Sequence, residues 1–234
     1  MKSHPLLAEL RTHADPAIAA HSHRFFRAEP GGYGEGDRFL GIRVPVVRQV
    51  ARGGRDLSLA NIASILRSEW HEERLLALVL MVERFKKTDA AKRHALHDAY
   101  IAYLPHVNNW DLVDISAPWL VGTHLLRSDR SLIYELAHSG ELWPQRTAMM
   151  ATFAFIRAGE FEDTLAVADI LLQHEHDLIH KAVGWMLREV GNRDNRAEEA
   201  FLKEHHPSMP RTMLRYAIEK FPEPRRRAYL EGRP

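Results

Sequence analysis

The sequence predicts an all-α protein made of repeated pairs of helices, and three observations support this prediction. Apolar residues recur at three- and four-residue spacing through most of the chain, which is the period of an amphipathic helix. No stretch alternates apolar and polar residues as a half-buried strand does. Finally, five segments resemble one another and begin at residues 70, 109, 143, 177 and 208, so that successive starts lie 39, 34, 34 and 31 residues apart.

The helical period marks a series of segments that are separated by short runs of turn residues, such as SGELWP at 139–144 and GNRDN at 191–195. The predicted helices are 71–87, 90–104, 109–127, 130–138, 144–158, 161–173, 177–190, 195–204 and 210–221.

Each of the five similar segments combines a turn or cap residue, a basic or polar residue and an amphipathic helix, as in WHEERLLALVLM at 70–81. A second helix lies between successive starts. Two helices in a step of about 30–45 residues are typical of an α-solenoid. HEAT-like repeats fit better than tetratricopeptide or ankyrin repeats, whose signature residues are missing. We therefore expect an α-solenoid of HEAT-like repeats in which every second helix contributes to a concave face.

The N-terminal third departs from this pattern. The segment AEPGGYGEGDRFLGIRVP, 28–45, holds five of the 13 glycines and reads as a loop before a helix that begins at Pro45. It lacks the GK[ST] of a phosphate-binding loop. The expected organisation is a single domain over 1–234. It comprises N-terminal helices and the Gly-rich loop at 1–50, helical repeats at 51–222, and a basic, solvated tail at 223–234.

Composition excludes several classes of function. The 234 residues include no cysteine, which excludes disulfides, cysteine-ligated zinc and thiol catalysis. The histidine pairs lack the carboxylate placement of HExxH, so we expect no metal and no cofactor. The N-terminus is not a signal peptide and no apolar run approaches the length of a membrane span, which favours a cytoplasmic protein. The net charge of +1 neither requires nor forbids a nucleic-acid partner.

The segment NNWDLVDIS, 108–116, carries the first candidate site. Trp110 and Asp114 are four residues apart and share one face of the predicted helix. Asp111 lies in the first turn, where the helix dipole favours a carboxylate, so it has a structural explanation. Asp114 has none of this kind. Asp114 and Trp110 are therefore candidates for contact with a ligand. The alternative is a purely structural arrangement, in which Asp114 is exposed and Trp110 is half-buried at a repeat junction.

Two sets of basic residues are candidates for phosphate contacts. Lys181, Trp185 and Arg188 form one helical stripe that suits phosphates and a flat or cationic group, although a solvated face with an arginine over the ring is the alternative. Arg74, Arg146 and Arg211 occupy equivalent positions in their repeats, in the first helical turn. Equivalent positions lie on one face of a solenoid, so the pattern predicts that these three arginines form a row of cations that suits a DNA backbone.

Four segments resemble the AlkD-like DNA alkylation repair family of HEAT-like repeat DNA glycosylases. They are RFLGIRVPVVR (38–48), NNWDLVDISAPWL (108–120), LWPQRTAMM (142–150) and LIHKAVGWMLREVG (178–191). The resemblance extends from the Gly-rich loop to residues 221–222, and WDxVD combined with KAxGWxLRE is fairly specific. It implies HEAT-like repeats, which the repeat spacing predicts independently. It also implies removal of cationic N3- and N7-alkylated purines from double-stranded DNA, by a monomer with no membrane association and no obligate protein partner.

The same resemblance implies roles for individual residues. It places the catalytic carboxylate at Asp114, the two cleft tryptophans at Trp110 and Trp185, and phosphate-binding arginines at Arg146 and Arg188. The family is described as acting without a deep pocket for the base, which is unusual among enzymes that act on bases. In a bacterial-type cytoplasm such an enzyme would be associated with the nucleoid when bound to DNA.

The chain departs from the family pattern at two places. Asn109 precedes Trp110, where the best-known members have another aromatic residue. The Gly-rich loop takes the place of an N-terminal helix that supplies a cleft tyrosine, so Tyr33 is the expected substitute and Phe39 a weaker one. Two other functions stay open from the sequence: a non-catalytic HEAT-like protein that binds DNA structures, and a protein-binding solenoid without nucleic acid.

Overall fold

The computed structural model describes residues 5–233, and this part of the chain is helical without a β-strand, apart from an isolated bridge between Arg38 and Trp70. The predicted all-α fold class is therefore confirmed. The α-helices are α1 Pro5–Arg11, α2 Pro16–Phe25, α3 Val44–Ala51, α4 Leu59–Ile65, α5 His71–Lys87, α6 Ala90–Ala102, α7 Trp110–Ala117, α8 Ser131–Ala137, α9 Leu142–Ala151, α10 Phe153–Arg157, α11 Glu162–Ile170, α12 Asp177–Gly191, α13 Asn195–His205, α14 Arg211–Ala217 and α15 Glu223–Leu230.

The predicted helix boundaries are close to these, with one informative difference. The predicted helix 71–87 coincides with α5, whereas the predicted helix 109–127 is interrupted. After α7 the backbone continues as a π-helical turn over Pro118–Thr123. Proline has no N–H to donate and its ring crowds the preceding turn, which accounts for the break in α-helical hydrogen bonding at this place.

The chain divides into two compact units, an N-terminal unit that ends at Leu120 and a C-terminal unit that begins at Val121. In the N-terminal unit, α5 packs against both α3 and α7, and α4 and α6 pack on α5 as a second layer. In the C-terminal unit, α12 packs against both α9 and α14, with α11 and α13 beside it. In the N-terminal unit the packed helices α3, α5 and α7 alternate with α4 and α6 along the chain. In the C-terminal unit α10 and α11 lie between α9 and α12, and α13 lies between α12 and α14, so both units consist of helical pairs as repeats require.

The burial of the two central helices, α5 and α12, follows from their sequences. In α5 the run LLALVLMV is apolar on all sides, and all eight of its residues are buried. In α12 one face is buried and Gly184 allows a close approach of α14, because a Cβ at this position would lie 2.4 Å from the carbonyl oxygen of Met213. The absence of a side chain at Gly184 thus allows α14 to pack directly on α12.

The expected basic tail at 223–234 is helical over most of its length, and most of its described residues are exposed to solvent. Residues Glu223–Leu230 form α15, and the ring of Tyr229 is buried. That ring makes edge contacts with Phe221 and His206, with centroids 5.7 and 5.5 Å apart, respectively. Burial of this large aromatic ring contributes to holding α15 on the C-terminal unit.

None of the helices in residues 5–233 has both the length and the apolar character that a membrane span requires.

Candidate functional site

Asn109 fixes the start of α7, the helix that carries the candidate carboxylate. Its side-chain oxygen accepts a hydrogen bond from the backbone N–H of Trp110 at 2.9 Å, so Asn109 is the N-cap of this helix. Its amide nitrogen donates to Oδ2 of Asp37 at 3.2 Å, and the residue is completely buried. A Cβ at Gly34 would lie 3.2 Å from this amide. A compact polar residue at 109 therefore fits beneath the Gly-rich loop.

Trp110 lies on a cluster of aromatic side chains from the end of α2. Its ring stacks on Phe26 with centroids 5.5 Å apart and contacts Phe25 edge-on at 6.0 Å. Phe25 is 56% exposed, which is unusual for such a large apolar side chain. Trp110 itself is half-buried. The cluster supports the indole from behind and leaves an aromatic surface open to a ligand.

The predicted aromatic substitute, Tyr33, is half-buried, and its hydroxyl donates to the carbonyl oxygen of Phe25 at 3.3 Å. Phe25 and Phe26 both contact Trp110, and Phe39 stacks on Phe26 at 5.3 Å. The sequence reasoning missed the phenylalanine pair. Two adjacent aromatic residues at the end of a short polar helix were the available signal.

Asp114 lies one turn after Trp110 on the same helix and is half-buried, like the indole. Leu112 and Val113, between them in sequence, are completely buried against the rest of the N-terminal unit. The predicted arrangement of Trp110 and Asp114 on one partly open face of a helix is therefore what the structure shows. A carboxylate in this position is accessible to a bound ligand.

The first turn of α5 forms a buried polar hub at the base of this site. His71 lies between two carboxylates: its Nδ1 is 3.3 Å from Oδ2 of Asp37, and its Nε2 is 2.8 Å from Oδ2 of Asp111. Arg74 donates to the other oxygen of Asp37 at 2.6 Å. Asn108 donates to that same oxygen at 2.8 Å. The hub links the Gly-rich loop, α5 and the start of α7.

Two glutamates of the same turn hold other parts of the N-terminal unit. The carboxylate of Glu72 accepts hydrogen bonds from the backbone N–H groups of Leu40, Gly41 and Ile42 at 2.8–3.1 Å. Glu73 accepts from Arg11 of α1. Acidic residues in a first helical turn interact favourably with the helix dipole. The end of the Gly-rich loop is therefore ordered by α5.

The charges of the hub are balanced when His71 is protonated. Burial alone would lower the pKa of His71, but the charge of Asp111 and hydrogen bonds to Asp111 and Asp37 outweigh it and raise the pKa to about 9. Burial alone would raise the pKa of Asp37, but His71 and Arg74 outweigh it and hold that pKa below its ordinary value. Both ring nitrogens of His71 face acceptors, so both donate only in the imidazolium form.

We therefore expect the stability of the fold to decrease at alkaline pH because of His71. Its contribution is fully present below the ordinary pKa of 6.5 and is lost as the pH rises through about 9. Urea unfolding at several pH values between 6 and 10, compared with His71→Gln, measures this contribution. A difference between wild type and variant that stays constant over this range would contradict the assignment.

Asp111 has a larger role than the sequence suggested. Its Oδ1 accepts the backbone N–H of Leu112 at 2.9 Å, which agrees with a residue at a helix start. Its Oδ2 also accepts from His71, a residue 40 positions earlier. No local pattern connects Asp37, His71 and Asp111, so this relation was not predictable from spacing.

The predicted row of exposed arginines is wrong at two of its positions. Arg74 is 4% exposed, and its guanidinium donates to Asp37 and to the carbonyl oxygen of Ser68. Arg146 is also 4% exposed and donates to the carbonyl oxygen of Leu178. Arg74 thus binds the Gly-rich loop and the turn before α5, and Arg146 binds the first turn of α12. Neither guanidinium is therefore available at the surface of its own unit.

The stripe on α12 has the predicted geometry. Lys181, Trp185 and Arg188 are all half-buried, whereas Val183, Met186, Leu187 and Val190 of the same helix are buried. Lys181 pairs with Asp177 at 2.6 Å, and Arg188 pairs with Glu219. The indole N–H of Trp185 donates to Glu189 at 3.3 Å.

Arg211 is exposed at the start of α14, and its guanidinium donates to the carbonyl oxygen of Leu230 at 2.6 Å. Lys181, Arg188 and Arg211 are thus the predicted cations of the C-terminal unit that reach its surface.

Two comparisons with known proteins found matches to this chain. A family model described as DNA alkylation repair enzyme matches residues 6–221 of the chain. A solved structure described as a predicted DNA alkylation repair enzyme from Enterococcus faecalis matches with a TM-score of 0.72 and 16% sequence identity, covering 90% of this chain and 98% of that chain. At this identity the structural likeness shows the fold alone. No curated protein matches the chain.

Proposed function

Because this chain belongs to the DNA alkylation repair enzyme family, we propose that it is a monofunctional DNA glycosylase, which hydrolyses the N-glycosidic bond of cationic N3- and N7-alkylated purines in duplex DNA. One observation carries the proposal: Asp114 presents a half-buried carboxylate one helical turn from the half-buried indole of Trp110. Binding to a phosphate backbone has no use for a carboxylate at its centre, whereas the chemistry of glycosidic cleavage has one.

The chemistry needs little acid catalysis. An N3- or N7-alkylpurine already bears a positive charge, so it departs as a neutral base when the bond between C1′ and the base nitrogen breaks. The sugar then acquires oxocarbenium character. The carboxylate of Asp114 stabilises that developing charge and orients the water that attacks C1′. The proton released by this water passes to solvent or to the carboxylate.

The aromatic surface supports the same assignment. Trp110, with Phe26 behind it and the exposed Phe25 at its edge, offers ring faces and edges to sugar and base. Attraction between a cationic base and such a ring contributes about 1–2 kcal/mol when water is excluded. We assign Trp185, on the C-terminal unit, a similar role. A shallow aromatic surface is compatible with an enzyme that acts without a deep base pocket.

In the C-terminal unit we assign phosphate contacts to Lys181, Arg188 and Arg211. Lys181 and Arg188 are held by acidic partners, Asp177 and Glu219, of which each is about half exposed. A phosphate can replace a solvated carboxylate partner at small cost, because exposed ion pairs contribute little. Arg74 and Arg146 are assigned structural roles, since their guanidinium groups are buried and bonded within the protein.

Release of 7-methylguanine and 3-methyladenine from methylated duplex DNA tests the proposal. We expect both bases to be released, without added cofactor and in the presence of a metal chelator, and we expect unmodified duplex DNA to remain intact. A protein that binds the methylated duplex but releases neither base would refute the glycosylase assignment and favour a non-catalytic DNA-structure-binding protein.

A further inference from the structure

A groove of about 690 Å³ lies in the N-terminal unit, bordered by α3, α5 and Ile115 of α7. We call it the basic groove, because seven of the fourteen residues that line it are arginine or lysine. Glu83 is the acidic residue in that lining, and its carboxylate pairs with Lys86 and Lys87 at 3.2 and 3.5 Å. The basic groove therefore carries a large excess of positive charge in a protein whose net charge is only +1.

Three of these cations are available to a ligand. Arg48, Arg52 and Arg55 are exposed, and none of them forms an ion pair with another residue in the range 5–233. Arg48 and Arg52 are four residues apart in continuous helical backbone. This spacing places their Cβ atoms about 6 Å apart on the same side of the helix. They therefore present two unneutralised guanidinium groups side by side.

Helix dipoles explain part of this arrangement. Arg48 lies in the last turn of α3, and Lys86 and Lys87 lie in the last turn of α5, where cations are favoured by about 0.3–1 kcal/mol each. The dipole accounts for a cation at each helix end. It does not account for two such ends lining one groove, where their side chains repel one another. An anionic ligand in the groove removes that repulsion.

The composition of the groove indicates the class of ligand. The cations of the groove come from several elements and not from one point, and this distribution suits an extended polyanion such as a nucleic-acid backbone. Lys86, Lys87 and Lys92 have exposed acidic partners, which a phosphate can replace at small cost. Val79, Leu80 and Ile115 give it an apolar floor on which sugars can lie. Ile115 directly follows Asp114 in α7. The basic groove thus adjoins the helix that carries the proposed catalytic carboxylate.

We propose that the basic groove binds the phosphates of the duplex next to the lesion and forms a second backbone contact, separate from Lys181, Arg188 and Arg211. This inference rests on the proposed function in taking duplex DNA as the ligand. Contacts to phosphates carry no sequence information but fix the register of the protein on the duplex. Arg48, Arg52 and Arg55 would position the damaged nucleotide relative to α7.

The experiment compares two double variants that remove the same charge. Arg48→Gln/Arg52→Gln removes two cations of the groove, and Arg196→Gln/Lys203→Gln removes two cations of α13, which also have no ion pair among the described residues. Affinity for a lesion-free duplex is measured over a series of salt concentrations. The slope of log K against log salt should become shallower by about two for the groove variant, because each phosphate contact contributes about one.

The α13 variant should keep the slope and the base-release rate of the wild type. All four positions are surface positions, and equal thermal unfolding midpoints for both variants and wild type verify intact folding. An unchanged salt slope for the groove variant would overturn the inference. Binding of inorganic phosphate is measured as well, and a groove variant that loses phosphate binding but keeps wild-type DNA binding would also overturn it. The proposed function, in contrast, depends on base release by the wild type, so the two failures are distinguishable.

Discussion

Replacing Asp114 by asparagine should reduce the rate of base release by about 10²–10³-fold while duplex DNA is still bound. The amide has the shape of the carboxylate but lacks its charge, so it cannot stabilise a developing oxocarbenium ion in the same way. The rate is measured in a single turnover at saturating protein, with methylated duplex DNA and with release of 7-methylguanine as the signal. Under these conditions the rate reports the chemical step and not affinity.

The matched control is Asp98→Asn on α6 of the same unit. Asp98 is exposed, pairs with His94 at 3.5 Å and has no proposed role in catalysis or DNA binding. Base release by this variant should therefore be unchanged. If Asp114→Asn released base at the wild-type rate, the carboxylate would have no catalytic role. If Asp114→Asn instead lost both base release and affinity for undamaged duplex DNA, Asp114 would serve binding or folding and not the chemical step.

The largest effect on stability is expected for Asp37→Ala, which should lower the free energy of unfolding by about 3–5 kcal/mol. Asp37 is 5% exposed and is the common acceptor for Arg74, His71, Asn108 and Asn109. Its removal leaves two buried cations with an incomplete set of partners, and an unpaired buried charge is far more costly than an absent ion pair. Urea unfolding monitored by circular dichroism measures the change.

Asp56→Ala provides the comparison for this variant, because Asp56 is exposed in the segment before α4 and should change the free energy of unfolding by less than about 0.5 kcal/mol. Double variants add a second check. Asp37→Ala and His71→Gln should not be additive, since both remove the same interaction. A loss below about 1 kcal/mol for Asp37→Ala would show that the hub is not a major source of stability.

The hub also bears on activity. It holds Asn108, Asn109 and Asp111, the three residues that surround the start of α7. Trp110 and Asp114 therefore depend on Asp37 and His71 for their position, although neither of these touches the proposed reaction site. Small displacements of a catalytic group cost large factors in rate, so a fold that is weakened here should be a slower enzyme even where it remains folded.

Much of this molecule followed from local sequence patterns. The period of apolar residues predicted α5 to the residue and predicted α12 to within one residue, because burial of one face repeats every helical turn. The same period placed Trp110 with Asp114, and Lys181 with Trp185 and Arg188, on shared faces. The resemblance to the repair family rested on short motifs in these helices, and the family match over residues 6–221 confirms it.

Exposure and long-range partners were decided by the tertiary structure alone. The sequence treated Arg74 and Arg146 as surface cations, and the structure buries both. Arg74 donates to Asp37 of the Gly-rich loop, and Arg146 donates to the carbonyl oxygen of Leu178 in α12. Asp37, His71 and Asp111 lie 34 and 40 residues apart in sequence and meet only after the Gly-rich loop has folded onto α5. Periodicity determines which side of a helix a residue occupies, whereas the neighbouring helices and loops determine whether that side meets solvent, a ligand or another charge.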